Sequence, residues 1–193
     1  MRKWFIAFMV SLVIISVCIA GCSSKAPSEH ATTQSKTELS KMALQLGDLP
    51  ENFIIKERSE RTTSDVAKAA LENGWEKGYG VTFSRVDLNQ RLGTEITQDI
   101  SIYPIEKISH MLPVIKAGYT QQWGNTSVVE DLSDPKIGDQ SQAFRITNTY
   151  DKSKTYIIIF NKMDVLETFT MTGITTDYET LKALALKAAS NVK

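Results

Sequence analysis

Apolar residues fall along this chain in three regimes. From Trp4 to Ala20 they run almost unbroken, with only Ser11 and Ser16 intervening and Arg2 and Lys3 ahead of them. From Ser23 to about Ser40 they nearly vanish, and no large apolar side chain occurs before Leu39. From residue 41 onward they recur with the periods of strands and helices. Phe53-Ile54-Ile55-Lys56-Glu57 follows the turn at Pro50 and reads as a strand ending in charge. Val66 to Asn73, rich in Ala and closed by Gly74, reads as a short helix. Val81, Phe83, Val86 and Leu88 form a strand, Asn89–Gly93 a turn, and Ile96, Ile100 and Ile102 a returning strand with Gln98 on the same face. Ile105, Ile108, Leu112, Ile115 and Tyr119 step by three and four, a helical stripe in which Pro113 predicts a break. After a loop from Asp131 to Asp139, three strands are expected at Ala143–Thr149, Thr155–Asn161 and Val165–Thr172. In the middle one, Tyr156 to Phe160 is apolar on both faces, as a doubly covered central strand requires. In the last, Val165, Glu167, Phe169 and Met171 alternate with Leu166 and three threonines. A final helix opens on a capping box of Thr176 and Glu179. The order β-α-β-β-α-β-β-β-α predicts an α+β domain, an antiparallel sheet of about five to six strands flanked by about three helices.

The apolar run at the start has a different meaning. At the lower limit of the roughly 17–25 residues that span a bilayer, and preceded by two cations, it fits a secretory signal. It ends in Ile19-Ala20-Gly21-Cys22, which resembles the lipobox of bacterial and archaeal lipoproteins. That resemblance implies a signal peptide over 1–21, cleavage after Gly21, and acylation of the Cys22 thiol with palmitate-class chains. Two acyl chains give stable anchoring, since each buried methylene contributes about 0.8 kcal/mol. An uncleaved signal anchor is the other reading, and it leaves the domain on the same side of the membrane. Residues 22–40 then form a disordered tether, too polar to offset ordering entropy, with an r.m.s. reach of roughly 25 Å. Residues 41–193 form the single globular domain.

Cysteine and charge narrow the function classes. The two cysteines are Cys18, lost with the leader, and Cys22, so the mature domain has neither a disulfide nor a thiolate metal ligand. The whole chain is neutral, with 22 cations and 22 acids; loss of Arg2 and Lys3 leaves 20 against 22, a net −2. A near-neutral mixed surface argues against nucleic-acid binding. The expected partners are the membrane, through the lipid, and an envelope protein or small ligand.

Gly138-Asp139-Gln140-Ser141-Gln142-Ala143-Phe144, the apolar strand, the closing helix and the opening Leu46-Gly47-Asp48-Leu49-Pro50 resemble segments of uncharacterised prokaryotic lipoproteins. The resemblance implies a sandwich similar to PsbP/Mog1, with Gly138-Asp139 as a turn entering a strand. It implies no catalytic residue.

Candidate chemistry is sparse. His30 falls in the tether, and His110 lies about 200° around its helix from the apolar stripe, facing solvent. No nucleophile elbow, phosphate loop, zinc or dinucleotide pattern occurs. Gly74, Gly78 and Gly80 read most simply as a helix exit. Glu130, Asp131, Asp134 and Asp139 cluster without calcium-loop spacing and read as a solvated turn, with a hard-cation site such as one for calcium as the alternative; neither a metal nor a cofactor is expected. Five aromatics near element ends, Trp75, Tyr79, Tyr103, Tyr119 and Trp123, are candidates for a ligand or partner surface, against the alternative that they cap the core. The favoured expectation is a non-catalytic binding module anchored outside the cytoplasm. The alternative is an envelope hydrolase using two carboxylates roughly 5–9.5 Å apart.

Overall fold

The computed structural model describes residues 37–87, 92–173 and 175–193. The leader, Cys22, His30, nearly all of the tether and most of the turn expected at Asn89–Gly93 lie outside the described residues. In chain order the elements are α1 (Thr37–Met42), β1 (Ile54–Arg61), α2 (Lys68–Glu72), β2 (Lys77–Asp87), β3 (Leu92–Ile102), α3 (Ile105–Ile108) and α4 (Met111–Trp123). They continue as β4 (Ser127–Asp131), β5 (Gln140–Asn148), β6 (Lys154–Lys162), β7 (Val165–Gly173) and α5 (Tyr178–Asn191).

All seven strands join one antiparallel sheet in the order β1-β2-β3-β7-β6-β5-β4. This corrects the expected architecture. The sheet has seven strands rather than five to six, and it is not flanked by three comparable helices on a PsbP/Mog1 pattern. Among the described residues only α4 and α5 are longer than six residues. The unforeseen strand is β4, five residues at an edge, where Val128 and Val129 are adjacent and give no readable alternation.

Each face of the sheet carries its own core. One cluster joins Phe83, Ile96, Ile100, Ile158, Phe160, Phe169 and Met171 to α5 through Leu181, Leu184, Ala185 and Ala188, and to α1 through Leu39 and Ala43. The other joins Phe144, Ile146, Ile157, Ile159 and Leu166 to α3 and α4 through Ile108, Met111 and Leu112. The run Ile157-Ile158-Ile159-Phe160 thus feeds both clusters alternately, the reason it shows no polar period.

Two helix boundaries differ from expectation. The break in the Ile105–Tyr119 stripe falls at Ser109–His110, and Pro113 is the third residue of α4. There its missing N–H removes no intrahelical bond, because the first turn has no acceptor for it. At α5 the cap is Asp177, whose carboxylate accepts from Glu179 N at 3.4 Å and Thr180 N at 2.9 Å; Thr176 is one residue too early. The far end of α5 is tied down by Lys162 Nζ, which donates to the Ala189 and Val192 carbonyls.

Candidate functional site

Where β1 ends and β2 begins, the chain leaves a cleft of about 270 Å³. Gly74 closes α2 with φ of +84°, which turns the chain so that Glu76 N donates to Ile102 O at 3.0 Å and starts the β2 pairing. Trp75 lies at this corner, its ring nitrogen donating to Ser101 Oγ at 3.2 Å. Four residues on, Tyr79 stands opposite Glu60 of β1. Trp75 packs against the α4-side core and Tyr79 against the α5-side core, so the cleft takes walls from both layers. Leu39 of α1, Thr62, Thr63, Lys77 and two carboxylates, Glu60 and Glu76, complete its lining.

Arg61 fixes one wall. Its guanidinium donates to Asp99 Oδ1 through Nε at 3.0 Å and Nη2 at 2.6 Å, and Nη1 reaches Ser59 Oγ at 3.4 Å. Asp99 lies on β3, two strands away, and the residues between them are glycines: Arg61 pairs with Gly78, and Gly80 pairs with Asp99. A Cβ on Gly80 would run into the guanidinium, and one on Gly78 would meet Ile100 O at 3.0 Å and the Trp75 ring at 3.2 Å. Gly78 and Gly80 are therefore not part of a helix exit, as Gly74 is. They are the floor on which the arginine lies. Half-burial acts to lower the Arg61 pKa, but attraction and hydrogen bonding to Asp99, helped by Glu57 and Asp65, raise it overall. A fixed planar cation beside an indole, with carboxylates, an ammonium and hydroxyls around it, can orient a small polar ligand or a partner's side chain.

The five aromatics do not converge. Trp75 and Tyr79 share the cleft. Tyr103 is buried, and burial pushes its hydroxyl up to about 12. Tyr119 meets Phe144 edge-on at 5.8 Å and its hydroxyl shares a hydrogen with Thr170 at 3.2 Å; burial raises its pKa too. Trp123, 37% exposed, ends α4 where the chain enters β4, at the opposite edge of the sheet from β1.

The acidic group of residues 130–139 also disperses. Glu130 pairs with Arg145 and Asp131 with Lys116; Asp134 accepts from Lys136 N and Ser141 Oγ, and Asp139 accepts from Met163 N. Among the described residues no three acidic, His or Cys side chains group as a metal would need. His110 is exposed just ahead of α4. Gly138, with φ of +65°, and Asp139 do form the turn into β5.

Arg61, Asp99 and Leu39 escaped the reading of the sequence. The charged run Lys56–Arg61 reads as a solvated strand end, and only the Gly78-x-Gly80 spacing on one strand face signals a close approach. A second unforeseen group is Glu167, fully buried in β7. Its Oε2 accepts from Gln98 Nε2 at 2.7 Å, Gln98 Oε1 accepts from Leu44 N at 2.8 Å, and Glu167 Oε1 has no partner among the described residues. Desolvation lifts its pKa to about 7, against the pull of the Gln98 hydrogen bond.

No protein-family model matches the sequence, and no curated protein matches it. In structure the chain is similar to the crystal structure of the extracellular domain of PknH from Mycobacterium tuberculosis, with a TM-score of 0.61 over 82% of this chain and 96% of that one, at 9% identity. At that identity the likeness is one of fold. Among the described residues no helix is long and apolar enough to cross a membrane.

Proposed function

We propose that this chain is a lipoprotein acylated on Cys22, and that its domain works outside the cytoplasm as a non-catalytic binding module whose occupant sits in the Trp75–Tyr79 cleft. The observation that carries the reading is the cleft itself: two aromatic residues from opposite layers of the domain, with Arg61 immobilised beside them. The address rests on the Ile19-Ala20-Gly21-Cys22 quartet. It is supported by a fold shared with a domain described as extracellular.

Two measurements test the two halves. Metabolic labelling with a radioactive fatty acid is expected to mark the wild-type chain and not Cys22→Ser; equal labelling removes the anchor from the account. A photo-crosslinking amino acid at position 79, used in intact cells, is expected to capture an occupant that the same probe at position 123 does not. Trp75→Ala is expected to cut that adduct on the order of tenfold. The same adducts from both positions, or an adduct indifferent to Trp75, would show that the cleft is not the binding site.

A further inference from the structure

The outer edge of β1 carries a charge order that matches itself. β1 is the terminal strand of the sheet, eight residues long, and every residue from Ile54 to Arg58 is exposed. Such an edge presents unpaired backbone donors and acceptors to any strand that can align with it. Between Ile55 and Glu57 the register against β2 shifts, but from Glu57 to Arg61 it is regular. Those five residues read Glu-Arg-Ser-Glu-Arg.

We infer that this chain pairs with a second copy of itself along β1, the two edge strands running antiparallel about a two-fold axis at Ser59. An axis perpendicular to the sheet keeps the α5 layers of both copies on one side and continues the sheet from one copy into the other. It also limits the registers to those centred on a residue. Centring on Glu57, Arg58 or Glu60 sets a charge against its own copy. Centring on Ser59 sets Arg58 against Glu60, twice by symmetry, with Ser59 facing Ser59, and places Glu57 beside an Arg61 whose guanidinium is already held on Asp99. The faces agree as well: Arg58 and Glu60 lie opposite Val81 and Tyr79 on the α5 side, while Glu57, Ser59 and Arg61 lie opposite Thr82, Gly80 and Gly78 on the other. The irregularity at Lys56 ends the matched stretch on one side and the end of β1 at Arg61 ends it on the other. The opposite edge, β4, is five residues long, and its sequence Ser-Val-Val-Glu-Asp carries charges of one sign only, so no register sets opposite charges against each other. The pairing has a consequence for the cleft. Arg61 is part of its wall, so the second copy brings its Glu57 to the rim of each site.

The test uses the full chain in mild detergent, with Cys18→Ser and Cys22→Ser removing the other thiols. Adding Ser59→Cys is expected to give a covalent dimer on mild oxidation, since facing residues of an antiparallel pair bring their Cβ atoms within reach of a disulfide. Glu57→Cys, whose own copy sits four residues along the ladder and roughly 13 Å away, is expected to give no covalent dimer. In sedimentation of the thiol-free chain, Arg58→Glu is expected to weaken dimerisation on the order of tenfold at low salt. The double change Arg58→Glu with Glu60→Arg, which restores every opposite-charge contact, is expected to recover it. A Ser59→Cys chain that stays monomeric or links only to other proteins overturns the inference, as does a double variant no better than the single one.

Discussion

Glu167 shows how one residue sets a pH dependence for the whole domain. The strand pattern itself puts it on the buried face, since Val165, Phe169 and Met171 share its parity and all three are in the core. That face assignment was legible in the sequence; the lack of a countercharge among the described residues was not, because it depends on what β3 places alongside. What β3 places there is Gln98, an amide whose other end holds Leu44 N. A carboxyl raised from 4.5 to about 7 keeps its proton in the folded state where the unfolded chain has lost it. Folding is therefore favoured most below about pH 4.5 as far as this group is concerned. That advantage is lost as pH rises to about 7, and above that the dependence is flat. The loss amounts to about 3 kcal/mol, from roughly 1.4 kcal/mol for each pH unit of displacement. Glu167→Gln keeps the acceptor for Gln98 and removes the ionisation. Urea melts are expected to show the variant more stable than wild type at pH 8, with the two converging toward pH 5. A variant equally destabilised at both pH values would mean that Glu167 serves packing alone.

The elements themselves are built by spacing, and the sequence shows some spacings better than others. β5, β6 and β7 are readable because Phe144 and Ile146 alternate with polar residues in β5, Tyr156 to Phe160 is apolar throughout in β6, and Val165, Glu167, Phe169 and Met171 share one face of β7. β4 is too short for a period, and the α3–α4 break is set by the turn at Ser109–His110 rather than by the more conspicuous Pro113. In β2 the informative residues are those without side chains. If Gly80 exists to let Arg61 lie flat, the cost of Gly80→Ala depends on Arg61. In the native background the new Cβ displaces the guanidinium from Asp99, and about 1 kcal/mol of stability is expected to go, a modest figure because both side chains keep solvent contact. In an Arg61→Ala background the same change is expected to be neutral or slightly stabilising, since alanine loses less backbone entropy in a strand than glycine. The difference between the backgrounds, read as a double-mutant cycle, is expected near 1 kcal/mol. Equal costs in both would assign Gly80 to some other constraint.

At the scale of the molecule, α1 and the residues after it hold three separate parts together. Leu39 packs in the α5-side core and lines the cleft. The Met42 carbonyl accepts from Asn191 near the end of α5 at 3.1 Å, and Leu44 N closes the Gln98–Glu167 chain. This role was hidden in the sequence because the polar stretch runs on to about Ser40, and one leucine within it gives no periodic signal. The same stretch connects the domain to Cys22, so in the proposed lipoprotein a pull on the acylated cysteine would reach α1 first. Two shortened chains separate these functions. One beginning at Gln34 retains every described contact of α1 and is expected to unfold at the same urea midpoint as the full chain. One beginning at Gln45 removes Leu39, Ala43 and Leu44 from the core and leaves Gln98 Oε1 without its donor. It is expected to lose roughly 5 kcal/mol, from about 1.5–3 kcal/mol for each large apolar side chain and about 1 kcal/mol or more for the stranded amide. The cleft is also expected to lose its occupant in the photo-crosslinking assay, because one wall goes with Leu39. If the Gln45 chain kept both stability and capture, α1 would be a passive extension of the segment before it, and the cleft would belong to the β1–β2 pair alone.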